Sequence, residues 1–254
     1  MKVTMLGSGT SSGVPRIGND WGDCDPAEPK NRRRRVSVLV EAGGAALVID
    51  TGPDFREQML SADVQRLDAV LYTHSHADHT HGVDDLRQLF HLMGGPVDCY
   101  ATQGTWDHFQ PRFDYVFEGR EGYPPSARAH VIDGALNVGP MRVAAYPQIH
   151  GPITSWGFRI EADGKVFCYS TDLNEITPEL EAAVTKCDLW IVDALRRRPH
   201  PTHSHLERTL DWIARLKPSE AILTHMDNSM DYTNLCDELP KGVVPGYDML
   251  TREL

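Results

Sequence analysis

Apolar residues along this chain fall into short runs closed by turn residues. Runs at 2–6, 36–41, 46–50, 69–73, 97–101, 141–146, 156–162, 165–170, 189–192 and 220–224 predict β-strands. Asp163-Gly164, between two of them, is a hairpin signal because both residues tolerate positive φ. Helical periodicity is rarer and predicts helices over 82–93, 178–185 and 204–216. In the last, Leu206, Leu210, Ile213 and Leu216 recur at spacings of four, three and three. Ser204 with Glu207 three residues on reads as its capping box. Many strands and few helices imply an α/β (α+β) fold with sheets covered by helices. No repeat, linker or composition break divides residues 1–254 into more than one domain.

The strands share a second pattern. Asp50 follows ALVI, His74 follows AVLYT, His150 follows the 141–146 strand, Asp172 follows VFCYST and His225 follows AILT. Ligand-type residues thus stand where rigid strands position side chains that loops leave accessible. The densest cluster is His74-Ser75-His76-Ala77-Asp78-His79, between a predicted strand and a predicted helix. In extended chain, residues i and i+2 share a side, so His74 and His76 can grip one ion. Asp78 and His79 converge only if the chain turns there. Imidazole suits zinc, iron or manganese, and a neighbouring carboxylate suits a hard divalent ion, so this cluster can begin two adjacent metal sites.

Composition narrows the class. The 254 residues include twelve histidines, five cysteines, and 36 Asp+Glu against 25 Lys+Arg, a formal charge of −11. Divalent cations among carboxylates ease that charge, whereas a long nucleic acid needs Lys and Arg to displace its counterions. Two basic runs stand out. Arg32 to Arg35 read as a solvated face; Arg196, Arg197 and Arg198 read equally as a solvated face or as a bidentate clamp for a substrate phosphate. The scattered Cys24, Cys99, Cys168, Cys187 and Cys236, without a C-x-x-C pair, predict reduced and mostly buried thiols. No apolar run approaches the roughly 18 residues of a membrane span, and the first residues form no apolar signal core. A soluble cytoplasmic protein is expected, with a homodimer left open.

His74-x-His76-x-Asp78-His79, with His150, Asp172 and His225 at later strand ends, resembles the metallo-β-lactamase superfamily of binuclear hydrolases. LGSGTSSGVP at 6–15, IDTGPDFR at 49–56, HGVDDLR at 81–87 and Thr202-His203 are similar to its PhnP-like cyclic phosphodiesterase branch, related to ribonuclease Z. The resemblance implies a four-layer αββα fold and two divalent metal ions, Zn or Mn. One ion would be held by His74, His76 and His150, the other by Asp78, His79 and His225, with Asp172 bridging and Asp50 supporting the histidine loop. It also implies that a hydroxide held by both metals hydrolyses a small cyclic phosphate or nucleotide phosphodiester. Asp78 and Asp172 are then the catalytic carboxylates and His203 the proton donor, with His205 as its competitor. The PhnP type carries a structural zinc on three cysteines and a histidine; here only Cys24 and Asn228 stand in that region, so this zinc is expected to be absent. The rival readings are a transfer-RNA 3′ endonuclease, a thioesterase or lactonase of the same fold, and a non-catalytic nucleotide-binding sensor. No long Lys/Gly-rich insertion of the kind an RNA-holding arm needs occurs.

Gly7-x-Gly9-x-x-x-Gly13 is not a dinucleotide fingerprint, because the third glycine comes one position late and Pro15 follows where a helix should open. The loop is read as offering backbone N–H groups and close approach near the metals. Arg87 is expected either to pair with Asp84 or Asp85 or to touch substrate. His81 is read as a support beside the motif; His91, His108, His130 and His200 have no assigned role.

Overall fold

The computed structural model describes all residues, Met1–Leu254. Its strands are β1 (Lys2–Gly7), β2 (Ser37–Ala42), β3 (Ala45–Ile49), β4 (Ala69–Leu71), β5 (Val97–Ala101), β6 (Ala127–Val131), β7 (Leu136–Val138), β8 (Met141–His150), β9 (Ile153–Ala162), β10 (Lys165–Ser170), β11 (Leu189–Asp193), β12 (Glu220–Thr224), β13 (Val243–Pro245) and β14 (Leu250–Glu253). Its helices are α1 (Phe55–Ser61), α2 (Ala77–Thr80), α3 (Leu86–Met93), α4 (Gln103–Phe109), α5 (Asp114–Glu118), α6 (Pro178–Val184), α7 (Leu206–Leu216) and α8 (Tyr232–Glu238).

The strands form two sheets, ordered β14-β1-β2-β3-β4-β5-β6 and β13-β12-β11-β10-β9-β8-β7. Both sheets follow one plan. Antiparallel pairs lead from β14 to β3 and from β7 to β10, and parallel pairs continue to β6 and to β13.

Successive side chains of a strand point to opposite faces, so each sheet has two faces to cover. Between the sheets, Met5, Leu47 and Ile49 meet Phe158, Ile160 and Ile191. The outer face of the first sheet, with Val48 and Val70, packs on Phe55, Leu86 and Trp106 from α1, α3 and α4. That of the second, with Trp190 and Leu223, packs on Leu180 and Ile213 from α6 and α7. Three apolar seams therefore separate four layers, αββα. Strands buried on both faces explain why ALVI and AILT are continuous apolar runs rather than alternating ones.

Several local expectations need correction. The strand predicted at 141–146 runs on to His150 through Pro147. β7 pairs only with Met141–Val143, so the edge at Pro147 carries no ladder that its missing N–H would break. The helix predicted at 82–93 begins at Leu86, after a 3₁₀ turn at Val83–Asp85. The capping box at Ser204 does not form: its Oγ bonds Thr209 Oγ1 (2.6 Å) and its N–H donates to Leu173 O (2.6 Å), leaving His205 to begin α7 without a side-chain cap. The Asp163-Gly164 hairpin forms as expected, with φ of 54° and 73° between paired Ala162 and Lys165.

Arg32 to Arg35 are not a solvated face. Arg33 is 2% exposed and donates to Met230 O (2.6 Å) and Asp227 O (3.3 Å). Arg34 pairs with Asp248 (3.0 Å) and Arg35 with Asp54 (3.0 Å), so only Arg32 is exposed. Loop carbonyls that neither helix nor sheet satisfies need donors, and the guanidinium fork supplies several at once. Within the Gly7–Gly13 loop the N–H of Gly9 donates to Arg34 O (2.8 Å), that of Thr10 to Met226 O (3.2 Å) and that of Gly13 to Thr10 O (2.8 Å), while Ser11 and Ser12 line a pocket that Asp78 also lines. The loop approaches the segment after His225, but these groups bond to backbone carbonyls. All five cysteines are free thiols, and only Cys236 is exposed. No helix is long and apolar enough to cross a membrane.

Candidate metal centre

The carboxyl ends of the parallel strands of both sheets converge on one place. Asp50 follows β3, His225 follows β12, and Asp172 lies two residues past β10; all three take positive φ, at 63°, 58° and 56°. A left-handed residue turns the chain sharply after its strand, at a cost of about 1–2 kcal/mol for a residue with a Cβ. Packing around the site offsets that cost. Thr51 N–H donates to His79 O and Gly82 N–H to Thr51 O, both at 2.8 Å, clamping the histidine loop against the end of β3. A side chain at Gly52 would strike the Asp78 carbonyl, so this close approach requires glycine.

His74, His76, His150 and Asp172 form one group of converging donor atoms, and Asp78, His79 and His225 form a second. Asp172 faces both. Its Oδ1 lies 3.9 Å from His74 Nε2 and 3.6 Å from His150 Nε2, while its Oδ2 lies 3.2 Å from His79 Nε2 and 3.7 Å from His225 Nε2. Asp78 Oδ2 adds contacts of 3.3 and 3.5 Å to the same two rings. Two donors held about 2.1 Å from one ion at a tetrahedral angle lie about 3.4 Å apart. Moreover, Nε2 of His74, His79 and His225 is buried with no hydrogen-bond partner. Buried nitrogens aimed at one another and at carboxylates are costly unless a cation sits among them, so the donor set fits two divalent ions.

Nδ1 of His79 and of His150 is anchored. His79 Nδ1 contacts Asp50 Oδ2 (2.7 Å), which also accepts from Thr73 Oγ1 (2.8 Å). His150 Nδ1 donates to Thr202 O (2.8 Å). Such bonds fix the tautomer and leave Nε2 as the ligand atom. The two groups differ in charge. Burial holds His74 well below the usual imidazole range, and burial and neighbouring histidines lower His76 and His150. For His225 burial also opposes charge, but Asp172, Asp78 and Asp193 outweigh it and push it up to about 9. His79 is raised in the same way, against burial, by Asp78, Asp172 and Asp50.

His203 joins this centre and His205 does not. His203 Nε2 lies 3.8 Å from Asp172 Oδ1, and its ring stacks on His225 with centroids 4.9 Å apart. His203 Nδ1 contacts Asp193 Oδ2 at 2.9 Å. His205 instead faces charged residues of α7, Arg208, Glu207 and Asp211. Asp193 is the functional candidate that sequence reasoning missed. It directly follows the apolar run 189–192, so the strand-end pattern that flagged Asp50 and Asp172 also pointed to it.

The arginine clamp is not assembled. Arg197 is bound bidentately by Glu238 (2.7 and 2.9 Å), and Arg196 donates to the carbonyls of Arg198 and Pro199. Arg198 is exposed. Arg87 lies over the Tyr123 ring (5.5 Å) rather than on Asp84 or Asp85, and His81 packs on Phe113 (5.4 Å), away from the donor groups. Arg33 Nη1 lies 3.8 Å from the Sγ of Cys24, the one thiol of that region between β1 and β2.

Comparisons with known proteins agree with this architecture. A family model for a β-lactamase superfamily domain matches residues 46–226. An octanoyltransferase of Porphyromonas gingivalis is 33% identical over 98% of this chain and 51% of its own length. A ribonuclease Z of Bradyrhizobium sp. is 38% identical over 51% of this chain and 45% of its own length. The chain thus spans about half the length of these curated relatives. Among solved structures, a diphosphatase from the PhnP family superposes with TM-score 0.91 at 34% identity, covering 100% of this chain and 97% of that one. Zn2+-bound PqqB from Methylobacterium extorquens shares the fold at TM-score 0.77 and 20% identity, with 100% of each chain covered.

Proposed function

From the premise that the chain belongs to the β-lactamase superfamily, with its metallo-hydrolase fold, we propose that it is a phosphodiesterase dependent on two divalent ions, Zn or Mn. Its substrate is a small cyclic phosphate or nucleotide phosphodiester. The observation that carries this reading is Asp172, whose two oxygens face separate imidazole groups. His74, His76 and His150 with Oδ1 would hold one ion, and Asp78, His79 and His225 with Oδ2 the other. Bound there, the ions supply Lewis-acid chemistry, neutralising phosphoryl oxygens and making water acidic enough to act as a nucleophile near neutral pH.

The chain's own groups do the rest. Asp50 and Thr202 O orient the His79 and His150 rings so that Nε2 faces inward. Asp193 accepts from Nδ1 of His203, making Nε2 the atom that hands a proton to the leaving oxygen. A net charge of −11 favours a compact substrate over a long RNA.

Metal analysis should find about two ions per chain, with hydrolysis of bis(p-nitrophenyl) phosphate in Mn or Zn. Asp172→Ala should lower kcat/KM by about 10³-fold, roughly 4 kcal/mol. Unchanged turnover in that variant, or protein free of stoichiometric metal, would overturn the reading.

A further inference from the structure

An open pocket of ≈ 460 Å³ adjoins the metal centre through Asp78, which forms part of its wall. The rest of that wall includes Ser12, Arg16, Ile17, Arg35 and Ala77. Two guanidinium groups therefore stand beside a candidate metal ligand, and neither is used in the chemistry described above. Arg16 is loosely tethered, with Nη2 3.4 Å from Asp227 Oδ2 and Nη1 3.9 Å from Asp20 Oδ2. A charge-assisted N–H···O bond has its full strength only near 2.7–2.9 Å, so an incoming anion can outcompete both contacts. Arg35 is turned to Asp54 through Nε (3.0 Å), while its Nη1 lies close to Gly13, the neighbour of the pocket residue Ser12. Ile17, fully exposed at 103%, offers apolar surface to whatever the anion carries.

We propose that this pocket binds a second phosphoryl group of the substrate, next to the one being cleaved. The preferred substrate class is then a nucleotide-type ester with two linked phosphates. A cyclic monophosphate has one phosphorus atom and, seated on the donor groups, would leave both guanidiniums with only their protein carboxylates. The proposal rests on the phosphodiesterase reading for the position of the first phosphate and narrows its substrate class. Arg16 and Arg35 are specificity residues here, replacing the Arg196 to Arg198 run in that role.

The test is calorimetric binding to metal-loaded protein, with α,β-methylene adenosine diphosphate and adenosine monophosphate as probes. Wild type should bind the diphosphate analogue at least about tenfold more tightly, and Arg16→Met should shrink that ratio by about tenfold, the worth of a charge-assisted contact. Arg35→Lys, which keeps the charge and loses the fork, should shrink it less. A wild-type ratio near one, or a ratio unmoved in both variants, overturns the proposal. Should Arg35→Lys not fold, Arg16→Met, on a part-exposed loop, decides alone. Selective binding without hydrolysis of bis(p-nitrophenyl) phosphate would defeat the catalytic reading and leave the pocket standing; hydrolysis without selectivity would do the reverse.

Discussion

The two donor groups beside Asp172 have similar geometry and opposite proton inventories. In the His74, His76 and His150 group, burial and crowding keep the imidazoles uncharged. In the Asp78, His79 and His225 group, carboxylates overcome the same burial and hold the rings charged. One group stands ready as neutral ligands; the other is an internally neutralised cluster whose protons an ion must displace. Distance alone does not tell such sites apart, because the carboxylates around a ring decide whether its lone pair is free.

The largest expected consequence is a difference in pH dependence of metal loading. Below about 9 His225 is protonated, so a cation competes with a proton there and loses affinity as pH falls. Each displaced proton makes this about tenfold per pH unit, so the His225 proton alone accounts for roughly 10³ between pH 9 and pH 6. The ion beside His74 should vary far less over that range. Competition titrations with a chromophoric chelator would measure both, and equal slopes would erase the distinction.

The next effect concerns the residue that leans on both groups. His203→Ala should slow substrates with alkoxide leaving groups by about 10²-fold, and p-nitrophenyl esters only a few fold, since the latter need little protonation. Equal losses on both would mean that His203 serves only to support His225 and Asp172.

The smallest effect is on the metal-free fold. His225 is raised from an ordinary value near 6.5 to about 9, so its contribution is fully present below about 6.5 and lost as pH rises through about 9. That contribution is on the order of 3 kcal/mol, which corresponds to about 6–12 °C in Tm for a chain of this size. Chelator-treated protein should therefore melt lower at pH 9.5 than at pH 6.5. His225→Gln should flatten the difference, and a pH-independent Tm in the chelator-treated wild-type chain would show that the ring is not charged in the metal-free state.

Much of this was legible in the chain because strand ends are marked twice, by the close of an apolar run and by the residue that follows. Asp50, His74, Asp172 and His225 were found that way. The longer reach of β8 was hidden by Pro147, whose acceptability depends on β7 stopping at a partner three residues into β8. β6 was hidden because most of its side chains face solvent. The role of Arg33 was illegible for a different reason: a buried guanidinium and a surface one look alike in sequence, and only the carbonyls of Asp227 and Met230 tell them apart. The arginine pair of the pocket, Arg16 and Arg35, lies far from Asp78 along the chain and meets it only in the fold.

Each donor group takes members from both sheets. His74 and His76 come from the loop after β4 and meet His150 from β8; Asp78 and His79 come from that same loop and meet His225 from beyond β12. An ion bound in either group is therefore a cross-link between two halves of the chain, closed across a break in sequence that no disulfide spans. Its binding energy would act as cohesion between layers, and each half would become, in effect, one jaw of a chelator that grips only when the other is docked.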